Sequence, residues 1–329
     1  MTSASATLNS TTVRLSIRQV AAPLMHLLAR AGMAAASAVA PHWAVRTASR
    51  LFITPPKFAH TQAELALLAT GRRHDIASPV GRLAAWQFGE QGKPAIIASH
   101  GWGGRGAQFR AFVPALVEGG FQVWVFDHVG HGLSEGKQAS LVDFASGVSA
   151  VHGYVEQQGA VVYGLISHSL GGAGLATALR GFARTAPVTA QRVVMIAPPS
   201  SLMRYSRFFA RYIGIPERIR EAMQWRFEQR YGVKWNDFEM PHAVNTLNAA
   251  ALVIHDADDR DVTPESGLIV ARSWPDARLV RTRGLGHRRI LKDRAVVQDT
   301  LDFMLDRVTF PRPHSSADWQ LFPGPAPLF

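Results

Sequence analysis

The sequence predicts an α/β fold, with a mostly parallel central sheet and helices on both faces. Three observations predict it. From Leu83 onward, short apolar runs that read as buried strands alternate with helix-like segments, the order that builds a parallel sheet covered on both sides. The connecting segments carry Gly and Pro where such elements stop. Residues suited to chemistry recur just after the runs, following Ser99, Asp127, Ser167 and His255. Open α/β sheets bind ligands beyond the carboxyl ends of their strands.

A chain of 329 residues is long enough for one large domain with insertions, or for two small ones. Its 47% hydrophobic and 18% charged content suits a globular protein with a substantial core. The absence of cysteine excludes disulfides, thiolate metal sites and cysteine nucleophiles.

Residues 1–57 read as a basic, helical and partly disordered extension. They contain Arg14, Arg18, Arg30, Arg46, Arg50 and Lys57 and no acid. Val20 to Leu51 is helix-prone, with expected breaks at Pro23 and Pro41. The longest uncharged run, Ala31 to Val45, is short for a membrane span. Three readings stand: a peripheral membrane contact, an acid-poor targeting segment, or a helix packed on the main domain.

Residues 58–308 read as that domain. Strands are expected at Leu83–Phe88, Pro94–Ser99, Phe121–Asp127, Val161–Ser167, Arg192–Ala197, Ala250–His255 and Ala277–Arg281. Helices are expected at Gln108–Glu118, Leu141–Gln158, Leu170–Gly181, Pro264–Trp274 and Asp293–Arg307. Between about 200 and 248 the alternation stops. Phe208, Phe209, Tyr212, Trp225, Phe227 and Tyr231 lie among Arg and Glu, which suggests two or three aromatic-rich helices inserted over the strand ends as a cap. Residues 309–329 form a Pro-rich tail, expected to be irregular.

The net charge of +11 raises the question of nucleic acid. The charge is carried mostly by scattered Arg, densest at Arg72-Arg73, Arg281 with Arg283, and Arg288-Arg289. No recognition helix, zinc-finger spacing or aromatic RNA-binding strand accompanies it, so a solvated basic surface is expected and no nucleic-acid partner.

The chemistry centres on Ser167-His168-Ser169-Leu170-Gly171-Gly172. Ser169 lies at a strand-to-helix turn and its neighbours two residues away are small, the nucleophile-elbow pattern with Ser in place of the first Gly. A strained turn forces neighbouring Cβ atoms together unless they are small. It also sets the hydroxyl over a helix N-terminus, where unpaired N–H groups favour a developing anion. A serine needs a base, and the base needs a carboxylate. Of thirteen histidines, His287 follows the last strand in a Gly-rich loop. Asp256, Asp258, Asp259 and Asp261 follow the strand before it. Asp259 is the preferred acid and Asp258 its main rival. The same Asp run lacks the Gly and Glu of a calcium loop at its sixth and twelfth positions, and no metal or cofactor is expected. Oxyanion donors are expected from the backbone of Leu170 and of Trp102, in the loop His100-Gly101-Trp102-Gly103-Gly104.

Over roughly residues 80 to 308 the chain resembles the α/β-hydrolase superfamily, of serine esterase/lipase-like type. The resemblance rests on His100-Gly101-Trp102-Gly103, Asp127-His128-Val129-Gly130-His131-Gly132-Leu133-Ser134, Ser167-His168-Ser169-Leu170-Gly171-Gly172, the Asp256–Val262 loop and Gly286-His287, in that order. It departs at Ser167 and at Asp256, where such families often have Gly. It implies a Ser169–Asp259–His287 triad and a structural role for His128 and His131, a zinc pair lacking an evident third ligand. His168 is expected to pack under the elbow. The activity implied is hydrolysis of an ester or thioester, the aromatic cap pointing to an apolar acyl or alcohol group. A peptidase, acyltransferase or haloperoxidase-like activity, or a non-catalytic binding module, are the alternatives, while dehalogenase and epoxide hydrolase chemistry needs Asp at the elbow. A cytoplasmic location is expected, with peripheral membrane contact through the N-terminal segment.

Overall fold

In a computed structural model of the chain, residues 17–181 and 187–310 are described. The first sixteen residues and the tail from 311, for which disorder or irregular structure was expected, lie outside them.

Two helices come first, α1 (Ile17–Val39) and α2 (Pro41–Phe52). Pro41 opens α2 as its first helical residue, a position where its missing N–H costs nothing. Pro23, by contrast, does not end α1. It removes one intrahelical hydrogen bond from a helix that continues through it. The next elements are α3 (Gln62–Thr70), β1 (Arg72–Ile76), β2 (Leu83–Phe88), β3 (Ala95–Ser99), α4 (Phe112–Glu118) and β4 (Gln122–Phe126). A short 3₁₀ turn at Gly106–Phe109 precedes α4, so the expected helix from Gln108 is in two pieces. Pro114 accounts for the break, because it fits only the first turn of an α-helix.

The chain then runs through α5 (Leu141–Gln157), β5 (Val162–His168), α6 (Leu170–Arg180) and β6 (Arg192–Ile196). Next come α7 (Leu202–Ile213), α8 (Glu217–Tyr231) and the short α9 (Met240–Val244), then β7 (Ala250–Asp256), α10 (Pro264–Ser273), β8 (Ala277–Thr282), α11 (Gly286–Arg289) and α12 (Arg294–Met304).

Eight strands form one sheet in the order β1-β2-β4-β3-β5-β6-β7-β8. The pairs β1/β2 and β2/β4 are antiparallel and all others are parallel. Every residue of β3 is buried, as is every residue but the first in β6 and β7. Successive side chains feed opposite cores: Ile97 and Leu165 pack with Phe144 and Leu175 of α5 and α6, whereas Ile96 and Ile166 pack with Phe112, Leu116 and Met304 of α4 and α12. Strand β1 escaped the sequence reading, since Arg72 and Arg73 look like solvated charge. It is an edge strand, and both arginines are exposed, as edges that avoid further pairing are.

A third cluster joins the N-terminal helices to α7 and α8. Met33, Ala44 and Ala48 pack with Ala210, Ile215, Ile219 and Met223. Of the three readings of residues 1–57, packing is the one seen, against α7 and α8 rather than against the sheet. Among the described residues no helix is long and apolar enough to cross a membrane.

Candidate active site

Ser169 sits between β5 and α6 with φ 52° and ψ −129°. That left-handed backbone costs a non-glycine residue on the order of 1–3 kcal/mol and persists only where its surroundings impose it. They do so here through crowding. A Cβ on Gly171 would lie 2.5 Å from the carbonyl oxygens of both Ser99 and His100. A Cβ on Gly101 would lie 2.8 Å from Ser169 Cβ and 3.0 Å from His168 O. The Ser169 N–H donates to Ile196 O at 2.9 Å, tying the turn to the adjacent strand. Ser167, in the place of the more usual Gly, is fully buried, and its hydroxyl donates to Val194 O at 3.4 Å.

His287 is the second residue of α11, and its Nδ1 lies 2.7 Å from Asp259 Oδ2. The other oxygen, Oδ1, accepts the backbone N–H groups of Asp261 and Val262 at 2.9 Å each. His255 Nε2 approaches Oδ2 at 3.4 Å. Burial pushes the Asp259 carboxyl up, but hydrogen bonds from His255 and His287, the His287 charge and the Val262 N–H outweigh it and hold the group well below the usual carboxylate range. It is therefore an anion facing an imidazole, the arrangement that fixes a proton on Nδ1 and leaves Nε2 free to accept one.

Asp258, the rival acid, does another job: its Oδ2 accepts Gly284 N–H at 2.9 Å. Asp256 is the organiser of the histidine loop. Its carboxylate accepts the N–H groups of Asp258, Leu285 and Gly286 and the Thr282 hydroxyl. Aspartate at 256 thus supplies acceptors for the loop that carries His287, which a glycine there could not do.

Ser169, His287, Trp102 and Leu170 line one cavity of 680 Å³. Leu170 is the first residue of α6, where a helix N–H has no intrahelical partner. Among the described residues the N–H groups of Trp102 and Leu170 have no hydrogen-bond acceptor. The apolar lining comes from Leu141, Ala173, Leu202, Tyr205 and Phe238. Arg110, Arg288 and Lys292 lie on its rim.

Three further histidines shape the loop. His100 donates from Nδ1 to Gly101 O at 2.7 Å and accepts His128 N–H at Nε2. His131 Nε2 accepts Gly103 N–H at 3.1 Å. His128 Nε2 lies 2.8 Å from Ser99 Oγ. Burial drives His100 and His128 well below the usual range and His131 to about 4. These rings are neutral struts, His100 and His131 holding backbone and His128 the Ser99 hydroxyl, which agrees with the structural role expected of His128 and His131.

His168 corrects the sequence reading. It does not simply pack under the elbow. It lines the cavity, and its Nε2 lies 2.8 Å from His287 O, which makes that nitrogen the donor. Burial, and then the charge of His287, lower it to about 3. It braces the backbone of His287 without carrying charge. The sequence reading also missed Phe58, Thr61 and Glu64 in the cavity wall. Glu64 Oε2 accepts Arg105 Nε and Nη2 at 3.0 and 2.7 Å, a pair buried on both sides. A legible signal existed: Thr61-Gln62-Ala63-Glu64 is a capping box ahead of an apolar run, and the structure forms it at the start of α3.

The sheet order, the strained serine after β5 and the Asp–His contact across the ends of β7 and β8 define an α/β-hydrolase. More narrowly, residues 90–261 match the Hydrolase_4 family, described as serine aminopeptidase S33, and the chain belongs to that family. Solved structures of the same fold include the esterase Pf2001 of Pyrococcus furiosus, at 17% identity over 77% of this chain and 98% of that one, with a TM-score of 0.58. Est1E of Butyrivibrio proteoclasticus, solved with ferulic acid bound, is 20% identical over 71% of this chain and 98% of that one, with a TM-score of 0.55. The carboxylesterase CesB of Bacillus subtilis is 18% identical over 75% and 97%, with a TM-score of 0.54. At these identities the likeness is one of fold. No curated protein sequence matches the chain.

Proposed function

We propose that the chain is a serine hydrolase that cleaves a carboxylic ester or thioester bearing an apolar group, through an acyl-enzyme. The observation that carries this is the 2.7 Å contact between His287 Nδ1 and the Asp259 carboxylate, made in the cavity wall that also holds the strained Ser169. In this reading Ser169 Oγ attacks the substrate carbonyl carbon while His287 Nε2 takes its proton. The N–H groups of Trp102 and Leu170 receive the oxyanion. Collapse breaks the bond to the leaving alcohol or thiol, which takes the proton from His287. Water, deprotonated by His287, then attacks the acyl-serine and releases the acid and Ser169.

The apolar wall of Leu202, Tyr205 and Phe238 supports an apolar acyl or alcohol group, with α7 and the 3₁₀ turn Trp235–Phe238 serving as the cap beside it. A peptidase acting at a free amino terminus would need a carboxylate to meet the substrate ammonium. The two carboxylates in the lining, Glu64 and Asp261, already face Arg105 and Arg288. Purified protein should turn over p-nitrophenyl esters and leave aminoacyl p-nitroanilides intact; the reverse preference would discard the ester reading.

A peripheral membrane contact through α1 and α2 is part of the proposal. Met25, Leu27, Leu28, Val39 and Trp43 are 55–84% exposed, and residues 1–57 hold six basic residues and no acid. Such a surface suits the interface of an anionic bilayer. L27E/L28E should lower sedimentation with anionic liposomes, and sedimentation equal to that of the unaltered chain would end the idea.

A further inference from the structure

A second cleft, of 700 Å³, opens on another part of the surface. Five cations line it: Arg46 and Arg50 from α2, Lys137 from the segment after β4, and Arg226 and Arg230 from α8. No acidic residue contributes to its lining. Among the described residues none of the five makes an ion pair or a side-chain hydrogen bond; Arg230 lies over the Tyr231 ring at 5.3 Å. The acids nearest in sequence are engaged elsewhere, Glu135 with Arg82 and Glu228 with Gln224, Trp235 N–H and Lys234.

Five like charges gathered from three separate segments repel one another and work against the packing of α2 on α8. Surface arginines with no other role would relieve that repulsion by spreading apart or pairing with acids. Another observation points to a ligand. Ser49 lines the same cleft, and its Oγ is buried without a hydrogen-bond partner. A hydroxyl and several guanidinium forks around one space are the donor set that phosphate oxygens accept from.

We propose that this cleft is a binding site for a phosphate-bearing anion, held by Arg46, Arg50, Lys137, Arg226 and Arg230. The phosphate belongs either to a free polyphosphate-type ligand or to the headgroup of an anionic lipid. The site is separate from the Ser169 cavity and does not depend on the chemistry there. The anion would bridge α2 and α8 by neutralising the charge that pushes them apart, so binding should also raise the melting temperature.

The full chain would be titrated calorimetrically with inorganic pyrophosphate at low ionic strength. In parallel it would be sedimented with vesicles of phosphatidic acid in phosphatidylcholine and of phosphatidylcholine alone. Two charge-reversed variants carry the test: R50E/R226E in the cleft, and R294E/R307E outside it, with the same net charge. Saturable pyrophosphate binding with a rise in melting temperature is expected. It should weaken about tenfold or more in R50E/R226E, from the loss of two charge-assisted contacts, and stay close to the unaltered value in R294E/R307E. The same pattern with phosphatidic acid vesicles and not with pyrophosphate assigns the phosphate to a lipid headgroup. Binding of neither ligand, or equal weakening by both variants, overturns the proposal.

Discussion

Replacing Asp259 by Asn tests how the proposed triad works. Asp259 Oδ1 accepts two backbone N–H groups at 2.9 Å. In Asp259→Asn the amide oxygen takes that place, because the NH₂ group cannot accept them. The NH₂ then faces His287 Nδ1 across the present 2.7 Å contact. Nδ1 must accept, so the imidazole proton moves to Nε2, which loses the lone pair needed to take the Ser169 proton. The fold and the position of the ring are kept while the tautomer is inverted. A tautomer error of this kind lowers kcat by about 10⁴, or about 5 kcal/mol of transition-state stabilisation. Asp258→Asn is the control, since Asp258 holds Gly284 N–H and not the imidazole; its kcat should stay within about tenfold, as loss of one exposed hydrogen bond costs about 1 kcal/mol. Initial rates on a p-nitrophenyl ester, with circular dichroism to confirm folding, measure both. If Asp259→Asn retains activity within tenfold of the unaltered protein, or Asp258→Asn falls as far, the assignment of Asp259 is refuted.

Other perturbations probe the frame around the site. Gly171→Ala should destabilise the protein by about 3 kcal/mol in urea unfolding, because its Cβ would meet two backbone carbonyl oxygens at 2.5 Å that cannot move aside as a side chain could. Glu64→Gln should cost about 3–5 kcal/mol, since it leaves the buried Arg105 guanidinium without its carboxylate; a change under 1 kcal/mol would mean the charge is solvated. Acid stability follows from His168. Its folded pKa is lowered to about 3, so its contribution is complete above the unfolded value near 6.5 and is lost as pH falls. It should remove about 3 kcal/mol between pH 6.5 and pH 4, and His168→Gln should flatten that part of the denaturation profile. An unchanged profile would show that His168 is solvated in the folded state.

Much of the fold was legible in the sequence, because strands of a parallel sheet are buried on both faces and so read as continuous apolar runs. Strands β2 to β8 fall within a residue or two of their expected bounds, and Asp259 lies 2.7 Å from His287. The remainder depends on contacts distant in sequence. Strand β1 exists because β2 offers it a partner, which Arg72 and Arg73 do not announce. The role of His168 depends on a carbonyl 119 residues away. Glu64 enters the cavity wall only because α3 packs beside the Arg105 loop, and Asp256 reveals its purpose only once the His287 loop folds down on it. The expected break at Pro23 failed for the opposite reason, a local rule applied where the helix continued regardless.

Covalent labelling with a fluorophosphonate, followed by peptide mapping, reads the activation of Ser169 itself, because only a serine activated by a neighbouring base attacks the reagent. A single adduct on Ser169 is expected in the unaltered protein, none in Ser169→Ala, and a much slower reaction in Asp259→Asn. A folded protein that stays unlabelled, or that carries the adduct on another residue, would contradict that activation.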